Sequence, residues 1–319
     1  MKPKVLLTHQ LLPEALDFLA EHVDIEIGTS ETYLPKDDLI TKLKDKEGLL
    51  PLLTAPIDRE VMDSAPKLKI IANCAAGYDN IDIDYARQKG IMVTNTPGVL
   101  TETTADLTWA LILAVARRIP HADQFTRAKK YKGWKLDLFL GKEITGKSLG
   151  IIGMGRIGKA VALRAKAFQM NVLYTDPKKL NEEDQEKYRA VCVPVDELLS
   201  SADIVTIHTT LNAQTRHLIS GDKLNLMKKD AILVNVARGP IVDEKALVEA
   251  LAKRQIWAAG LDVYEREPEI EEALFSLDNV VLLPHIGSAT YETRLKMAKK
   301  AAKNLIQGLS GQKPENLVV

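Results

Sequence analysis

The chain has 319 residues, with 43 lysines plus arginines, 43 aspartates plus glutamates and six histidines, so its formal net charge is zero. At roughly 150 residues per domain this length predicts about two domains and a substantial core. Balanced charge argues against a bulk basic field of the kind that drives non-specific nucleic-acid binding, and 46% hydrophobic with 27% charged residues excludes wholesale disorder.

The longest apolar run, Leu107 to Ala116, is about half the roughly twenty residues a spanning helix needs, so no membrane segment is expected. Val5 to Leu7 stops at Thr8, His9 and Gln10, too short for a signal-peptide core, and the expected location is the cytoplasm. Cys74 and Cys192 form no CxxC pair and have no histidine at ligand spacing, so no disulfide framework and no metal site are expected. Both read as small buried hydrophobes.

In chain order, β-branched runs at Lys4 to Thr8, Val23 to Ile27, Gly48 to Thr54, Lys69 to Ala75 and Ile91 to Thr94 alternate with helical stretches, which predicts a parallel α/β sheet. Thr96, Pro97 and Gly98 punctuate the chain and read as a hinge. A long apolar helix follows over Thr101 to Arg118, with Thr101 as its expected N-cap. A second strand series runs through Ser148 to Gly153, Asn171 to Thr175, Ala202 to Thr209, Ala231 to Ala237, Ala258 to Tyr264 and Val280 to Pro284, enough for a separate sheet. Tyr291 to Leu309 is again helical and is placed to return to the first domain. Asn181 to Lys187 and Glu265 to Glu272 read as solvated charge, Glu267 excepted.

The segment LGIIGMGRIGKAVALRAKAF spaces Gly153, Gly155 and Gly158 as GxGxxG between an apolar strand and a helix. Gly153 permits a tight turn, Gly155 lets the backbone approach a pyrophosphate, and Gly158 lets helix and strand pack closely. Arg156 and Ile157 open the helix whose N-terminal amides face the anion. The next strand ends in Asp176, placed to accept hydrogen bonds from an adenosine ribose and to repel a 2′-phosphate. NAD(H) is therefore the expected cofactor, while Lys178 and Lys179 leave room for NADP(H). A plain strand-end turn acid before Pro177 is the alternative for Asp176.

Six segments, NCAAGYDNID (73–82), TNTPGVLTETTAD (94–106), GIIGMGRIGKA (150–160), ILVNVARGPIVDE (232–244), AGLDVYEREP (259–268) and LLPHIGSAT (282–290), together resemble the D-isomer-specific 2-hydroxyacid dehydrogenase family, most closely its glyoxylate and hydroxypyruvate reductase branch. The resemblance implies two doubly wound α/β parallel-sheet domains: a dinucleotide-binding Rossmann domain (99–287) inserted into a flavodoxin-like substrate domain (1–98 and 288–319). It implies a catalytic arginine, glutamate and histidine at Arg238, Glu267 and His285.

The chemistry suits these types. A guanidinium can hold a 2-oxo acid's carboxylate in bidentate fashion while polarising its carbonyl, which is the role read for Arg238. Charge building on the carbonyl oxygen needs a proton, read for His285, and a carboxylate on the far imidazole nitrogen, read for Glu267, fixes the tautomer. Taken singly, each has a bland reading as a surface charge, a solvated acid or a packing histidine.

By motif alone, Ala76 and Gly77 resemble amides offered to the substrate carboxylate, and Leu53 an apolar wall. Thr104, Thr209, Ala237, Asp262 and Gly287 resemble positions lining the nicotinamide half, Asp262 reading equally as a buried structural acid. Trp134 resembles an aromatic lent by a partner subunit to the neighbouring site, which implies a homodimer; an ordinary interface aromatic is its alternative. The expected partner is a small 2-oxo or 2-hydroxy acid, with glyoxylate or hydroxypyruvate first. A 2-ketogluconate reductase and a short-form phosphoglycerate dehydrogenase are alternatives of the same mechanism. A dinucleotide-sensing corepressor or scaffold is the alternative of a different class.

Overall fold

The computed structural model describes residues 2–28 and 34–319. It divides into a split unit, formed by the chain up to Leu100 together with Ser288–Val319, and a continuous unit, Thr101–Gly287.

The split unit runs β1 (Lys4–Leu7), α1 (Pro13–Ala20), β2 (Asp24–Ile27), α2 (Lys36–Leu43), β3 (Gly48–Leu50), α3 (Arg59–Asp63), β4 (Ile70–Ala72), α4 (Ile83–Lys89) and β5 (Met92–Thr94). Its sheet is parallel in the order β2-β1-β3-β4-β5. Val5, Leu6, Leu7, Leu49, Leu50 and Ile70 to Ala72 are all buried, because strands covered by helices on both faces must be apolar on both. Asp58 and Asp82 cap α3 and α4 by accepting the amides of Val61 and Tyr85. β4 is shorter than the expected Lys69 to Ala75. Beyond Ala72 the chain leaves the ladder and its carbonyls find other donors, described below.

The continuous unit runs α5 (Thr101–Ala116), α6 (Ile119–Arg127), β6 (Ser148–Ile152), α7 (Arg156–Ala165), β7 (Asn171–Thr175), α8 (Glu182–Tyr188), β8 (Ala190–Cys192), α9 (Val195–Ser201), β9 (Ile204–Ile207), α10 (Gly221–Leu226), β10 (Ile232–Asn235), α11 (Glu244–Ala252), β11 (Ala258–Leu261) and β12 (Val280–Leu282). The parallel sheet has the order β12-β11-β10-β9-β6-β7-β8. The order reverses between β6 and β9, and ligands of such sheets bind at the carboxyl ends of the strands at that switch. β8 escaped the sequence reading: it is three residues long, exposes Val191 and, among the described residues, pairs only with β7. Thr101 is the first helical residue of α5 and not its N-cap, and the helix ends at Ala116, two residues short of the expected Arg118.

α5 is apolar on nearly every face because it packs on α7 and on β10, β11 and β12. Trp109 anchors it, stacking on Phe168 with centroids 4.7 Å apart and donating its indole N–H to the Val161 carbonyl at 3.1 Å. A buried tryptophan of this kind contributes about 3–5 kcal/mol relative to alanine. By contrast α6 buries no side chain, and beyond it Trp134 (78% exposed), Leu136 and Leu140 face solvent.

The final helix α12 (Tyr291–Leu309) is capped by Thr290 and completes the split unit. Its apolar stripe, Met297, Ala298, Ala301, Ala302 and Leu305, is buried, and the helix packs on α1, β3 and β4. Cys74 is buried there and Cys192 is half-buried in the continuous unit; both are free thiols. Burial pushes the Cys74 thiol up to about 12.

Candidate active site

The glycine turn follows β6. Gly153 has φ +95°, and a Cβ there would lie 2.6 Å from the Thr209 amide nitrogen, so its turn passes directly against the end of β9. At Gly158 a Cβ would lie 2.2 Å from the Gly153 carbonyl oxygen, so the first turn of α7 presses on the glycine turn itself. Gly155 differs: no atom lies within 4 Å of its Cβ position. It is the N-cap of α7, no side chain caps that end, and Arg156 and Ile157 are the first helical residues. Open space above an uncapped helix N-terminus fits the diphosphate of a dinucleotide.

Asp176 lies one residue beyond β7. One carboxylate oxygen accepts the Met154 amide and the other the Lys178 amide, both at 2.8 Å. It therefore acts as a turn acid, yet each oxygen keeps a second lone pair for a ribose hydroxyl. Below the turn, His208 follows β9 with Nε2 2.9 Å from the Thr206 hydroxyl, while buried Nδ1 has no partner among the described residues. Burial pulls this imidazole down to about 3.

Thr104, Asp262 and Gly287 come together. A Cβ on Gly287 would lie 3.3 Å from an Asp262 carboxylate oxygen and 3.6 Å from the Thr104 methyl group. Asp262 is fully buried and accepts the amides of Ile286 (2.7 Å) and Gly287 (2.8 Å), so the structural reading of this acid describes its contacts. Burial pushes its carboxyl above the usual range even though those amides and His285 favour the anion. These two bonds close the turn at His285, whose φ of +54° is left-handed and rare for a non-glycine residue.

Asn235, Leu261 and Leu282 are in register at the ends of β10, β11 and β12. Arg238, Glu267 and His285 lie on the three loops leaving these neighbouring ends. Buried Asn235 shapes the first loop, accepting the Ala237 amide and donating to the Arg238 carbonyl at 2.9 Å. Arg238 in turn donates to the Ala237 carbonyl at 2.8 Å. Glu267 Oε2 lies 2.7 Å from His285 Nδ1, and Oε1 accepts the Tyr264 amide at 3.0 Å. Tyr264 also donates its hydroxyl to the Leu283 carbonyl at 2.8 Å, tying the second loop to the third.

Sequence reading placed Glu265 among solvated charges. Instead its carboxylate accepts the Glu244 amide and meets His217 Nε2 at 2.8 Å. Nothing in the spacing of a charged run marks which member turns inward.

In the split unit, Ala76 and Gly77 lie in the loop after β4, and Leu53 is half-buried after β3. Three successive carbonyls are taken: Ala75 by the Thr96 amide (2.8 Å), Ala76 by the Asn95 side chain (2.7 Å) and Gly77 by the Asn73 side chain (2.9 Å). In a trans peptide the N–H points opposite to the C=O. The amides of Ala76, Gly77 and Tyr78 are thereby turned away from these carbonyl partners. Asn73 and Asn95 escaped the sequence reading, though both lie inside its motifs.

Among the described residues, no group of three or more His, Cys, Asp or Glu is placed to hold a metal ion, and no helix is long and apolar enough to cross a membrane.

A seven-stranded parallel sheet with a glycine turn at its switch point and an acid beyond the next strand defines a dinucleotide-binding domain. Residues 109–287 match the family model described as D-isomer specific 2-hydroxyacid dehydrogenase, NAD binding domain. The glyoxylate reductase of Thermococcus onnurineus is 48% identical over 322 residues, covering 100% of this chain and 96% of its own. Among solved structures, the NADPH-dependent glyoxylate/hydroxypyruvate reductase of Sinorhizobium meliloti, in complex with NADP and malonate, is 31% identical with a TM-score of 0.89, covering 100% of this chain and 97% of that one. An acyclic imino acid reductase in complex with NADPH and D-Arg is 30% identical with a TM-score of 0.87, covering 99% and 100%. The chain belongs to the D-isomer specific 2-hydroxyacid dehydrogenase family and is an NAD(P)-dependent dehydrogenase.

Proposed function

We propose that the chain reduces small 2-oxo acids, glyoxylate and hydroxypyruvate foremost, to the 2-hydroxy acids. The observation that carries this reading is the 2.7 Å contact between His285 Nδ1 and Glu267, on a loop neighbouring that of Arg238. A bound reduced nicotinamide supplies the hydride. Arg238 holds the substrate carboxylate and polarises its carbonyl. A carboxylate only accepts hydrogen bonds, so the Glu267 contact keeps a proton on His285 Nδ1 and leaves Nε2 to deliver the proton that the developing alkoxide needs. Glu267 stabilises the imidazolium until that transfer. Ala76 and Gly77 offer amides to the carboxylate, and Leu53 lines the substrate side.

Gly153, Gly155, Arg156, Ile157 and Gly158 bind the diphosphate, Asp176 the adenosine ribose, and Thr104, Thr209, Ala237, Asp262 and Gly287 the nicotinamide half. Asp176 favours NADH, with NADPH accepted less well. The exposed apolar segment around Trp134 supports a homodimer, and two free thiols suit a cytoplasmic setting.

The test is turnover of glyoxylate, hydroxypyruvate, 2-ketogluconate and 3-phosphohydroxypyruvate, each with NADH and with NADPH. Oxidation of the cofactor fastest with glyoxylate or hydroxypyruvate is expected; no turnover with any of the four overturns the reading.

A further inference from the structure

Glu244, the first residue of α11, is 8% exposed, and its carboxylate contacts are backbone amides. One oxygen accepts the Glu265 amide at 2.8 Å and the other the Glu271 amide at 3.0 Å. These two positions bracket Glu267. The grip is reciprocal, since Glu265 accepts the Glu244 amide at 3.3 Å. Burying a carboxylate is costly unless it is hydrogen-bonded, and here each oxygen takes its bond from one end of the same short segment.

The same segment is fixed from the side of Arg238. Glu265 meets His217 Nε2 at 2.8 Å, and the His217 amide donates to the Pro240 carbonyl at 2.8 Å. A Cβ on Gly239 would lie 1.8 Å from the Tyr264 carbonyl oxygen, so the turn after Arg238 and the start of the Glu267 segment leave no room between them. The geometry required of Glu267 is strict, because a displacement of about 1 Å in a reacting constellation costs on the order of a hundredfold in rate.

We propose that Glu244 is a positioning residue for this reaction: it acts through Glu267, stapling both ends of the 265–271 segment so that the Glu267 carboxylate stays on His285 Nδ1. This rests on the reading of Glu267 and His285 given above. A glutamine at 244 cannot reproduce it, because its amide nitrogen would face one of the two N–H donors.

A double-mutant cycle tests the coupling, using Glu244→Gln, Glu267→Gln and the pair in the full-length enzyme. Glu244→Gln alone is expected to lower kcat about tenfold, with cofactor Kd changed by less than about twofold. On the Glu267→Gln background it should change kcat by less than about twofold. Multiplicative effects, or an unchanged kcat for Glu244→Gln, overturn the proposal. Should Glu244→Gln fail to fold, Glu244→Asp, whose shorter side chain cannot span both the Glu265 and Glu271 amides, replaces it in the same cycle with the same two outcomes. A second readout needs no turnover: the downfield Nδ1–H proton resonance of His285, identified by its loss in His285→Gln, should broaden or vanish in Glu244→Gln as in Glu267→Gln. Its persistence unchanged in Glu244→Gln overturns the proposal. An inactive wild type strikes the functional reading and leaves this second test standing.

Discussion

His285 Nδ1 and Glu267 Oε2 are 2.7 Å apart, while the other oxygen of that carboxylate is held by the Tyr264 amide. The carboxylate is thus fixed from behind and free only to orient the imidazole. On the proposed mechanism His285→Ala removes the proton donor and is expected to lower kcat by about 10²–10⁴-fold, and Glu267→Gln by a smaller factor, since it leaves the imidazole in place. Cofactor affinity, measured by fluorescence titration, should stay close to wild type in both. A His285→Ala enzyme with near-normal kcat refutes the assignment.

Asp176 spends one lone pair of each oxygen on the amides of Met154 and Lys178. With Asp176 on the adenosine ribose as proposed, its charge would face a 2′-phosphate, so kcat/KM should favour NADH over NADPH by about tenfold or more, equivalent to about 1.4 kcal/mol. Asp176→Ser should narrow that ratio mainly by improving NADPH. Equal kcat/KM for the two cofactors in the wild type would transfer control to Lys178 or Lys179.

What the sequence made legible follows from range. The glycine turn, the strand after it and the three loops bearing Arg238, Glu267 and His285 are local signals, each written in a short run of residues. The contacts that set those loops are not local. Glu244 and Glu265 are 21 residues apart, and Asp262 reaches 24 residues to the Ile286 amide. A carboxylate accepting backbone amides leaves no trace in residue type at the donor end, because every residue except proline has an N–H. The same holds for Asn73 and Asn95, whose acceptors are the carbonyls of Gly77 and Ala76. β8 leaves little trace for a different reason: an edge strand with one neighbour needs little apolar periodicity.

Gly155 and Gly158 separate binding from folding. At Gly158 a Cβ meets the Gly153 carbonyl at 2.2 Å, so Gly158→Ala should destabilise the protein by about 1–3 kcal/mol. It should also weaken cofactor binding by displacing the turn. At Gly155 the Cβ position is open, so Gly155→Ala should cost less than about 1 kcal/mol. On the proposed diphosphate site its methyl group would stand in the path of the cofactor, and affinity for NADH should fall. Urea unfolding paired with cofactor titration distinguishes the two; a Gly155→Ala protein with unchanged affinity contradicts the diphosphate assignment.

His208 makes stability depend on pH. Burial lowers its folded value from 6.5 to about 3, so between those limits the unfolded chain binds a proton that the folded chain refuses. Stability from this group is therefore complete above pH 6.5 and is lost as pH falls toward 3. Each unit is worth about 1.4 kcal/mol, so acidification to about pH 4.5 should cost about 2–3 kcal/mol through His208 alone. Carboxylates titrate in the same window, and the variant His208→Gln isolates the histidine by difference. The variant should begin less stable near neutrality, having lost the imidazole's contact with the Thr206 hydroxyl. It should then lose about 2–3 kcal/mol less than wild type on moving to about pH 4.5, measured by urea unfolding without cofactor. Parallel losses in the two proteins would mean that the ring takes up its proton in the folded state despite the burial of Nδ1.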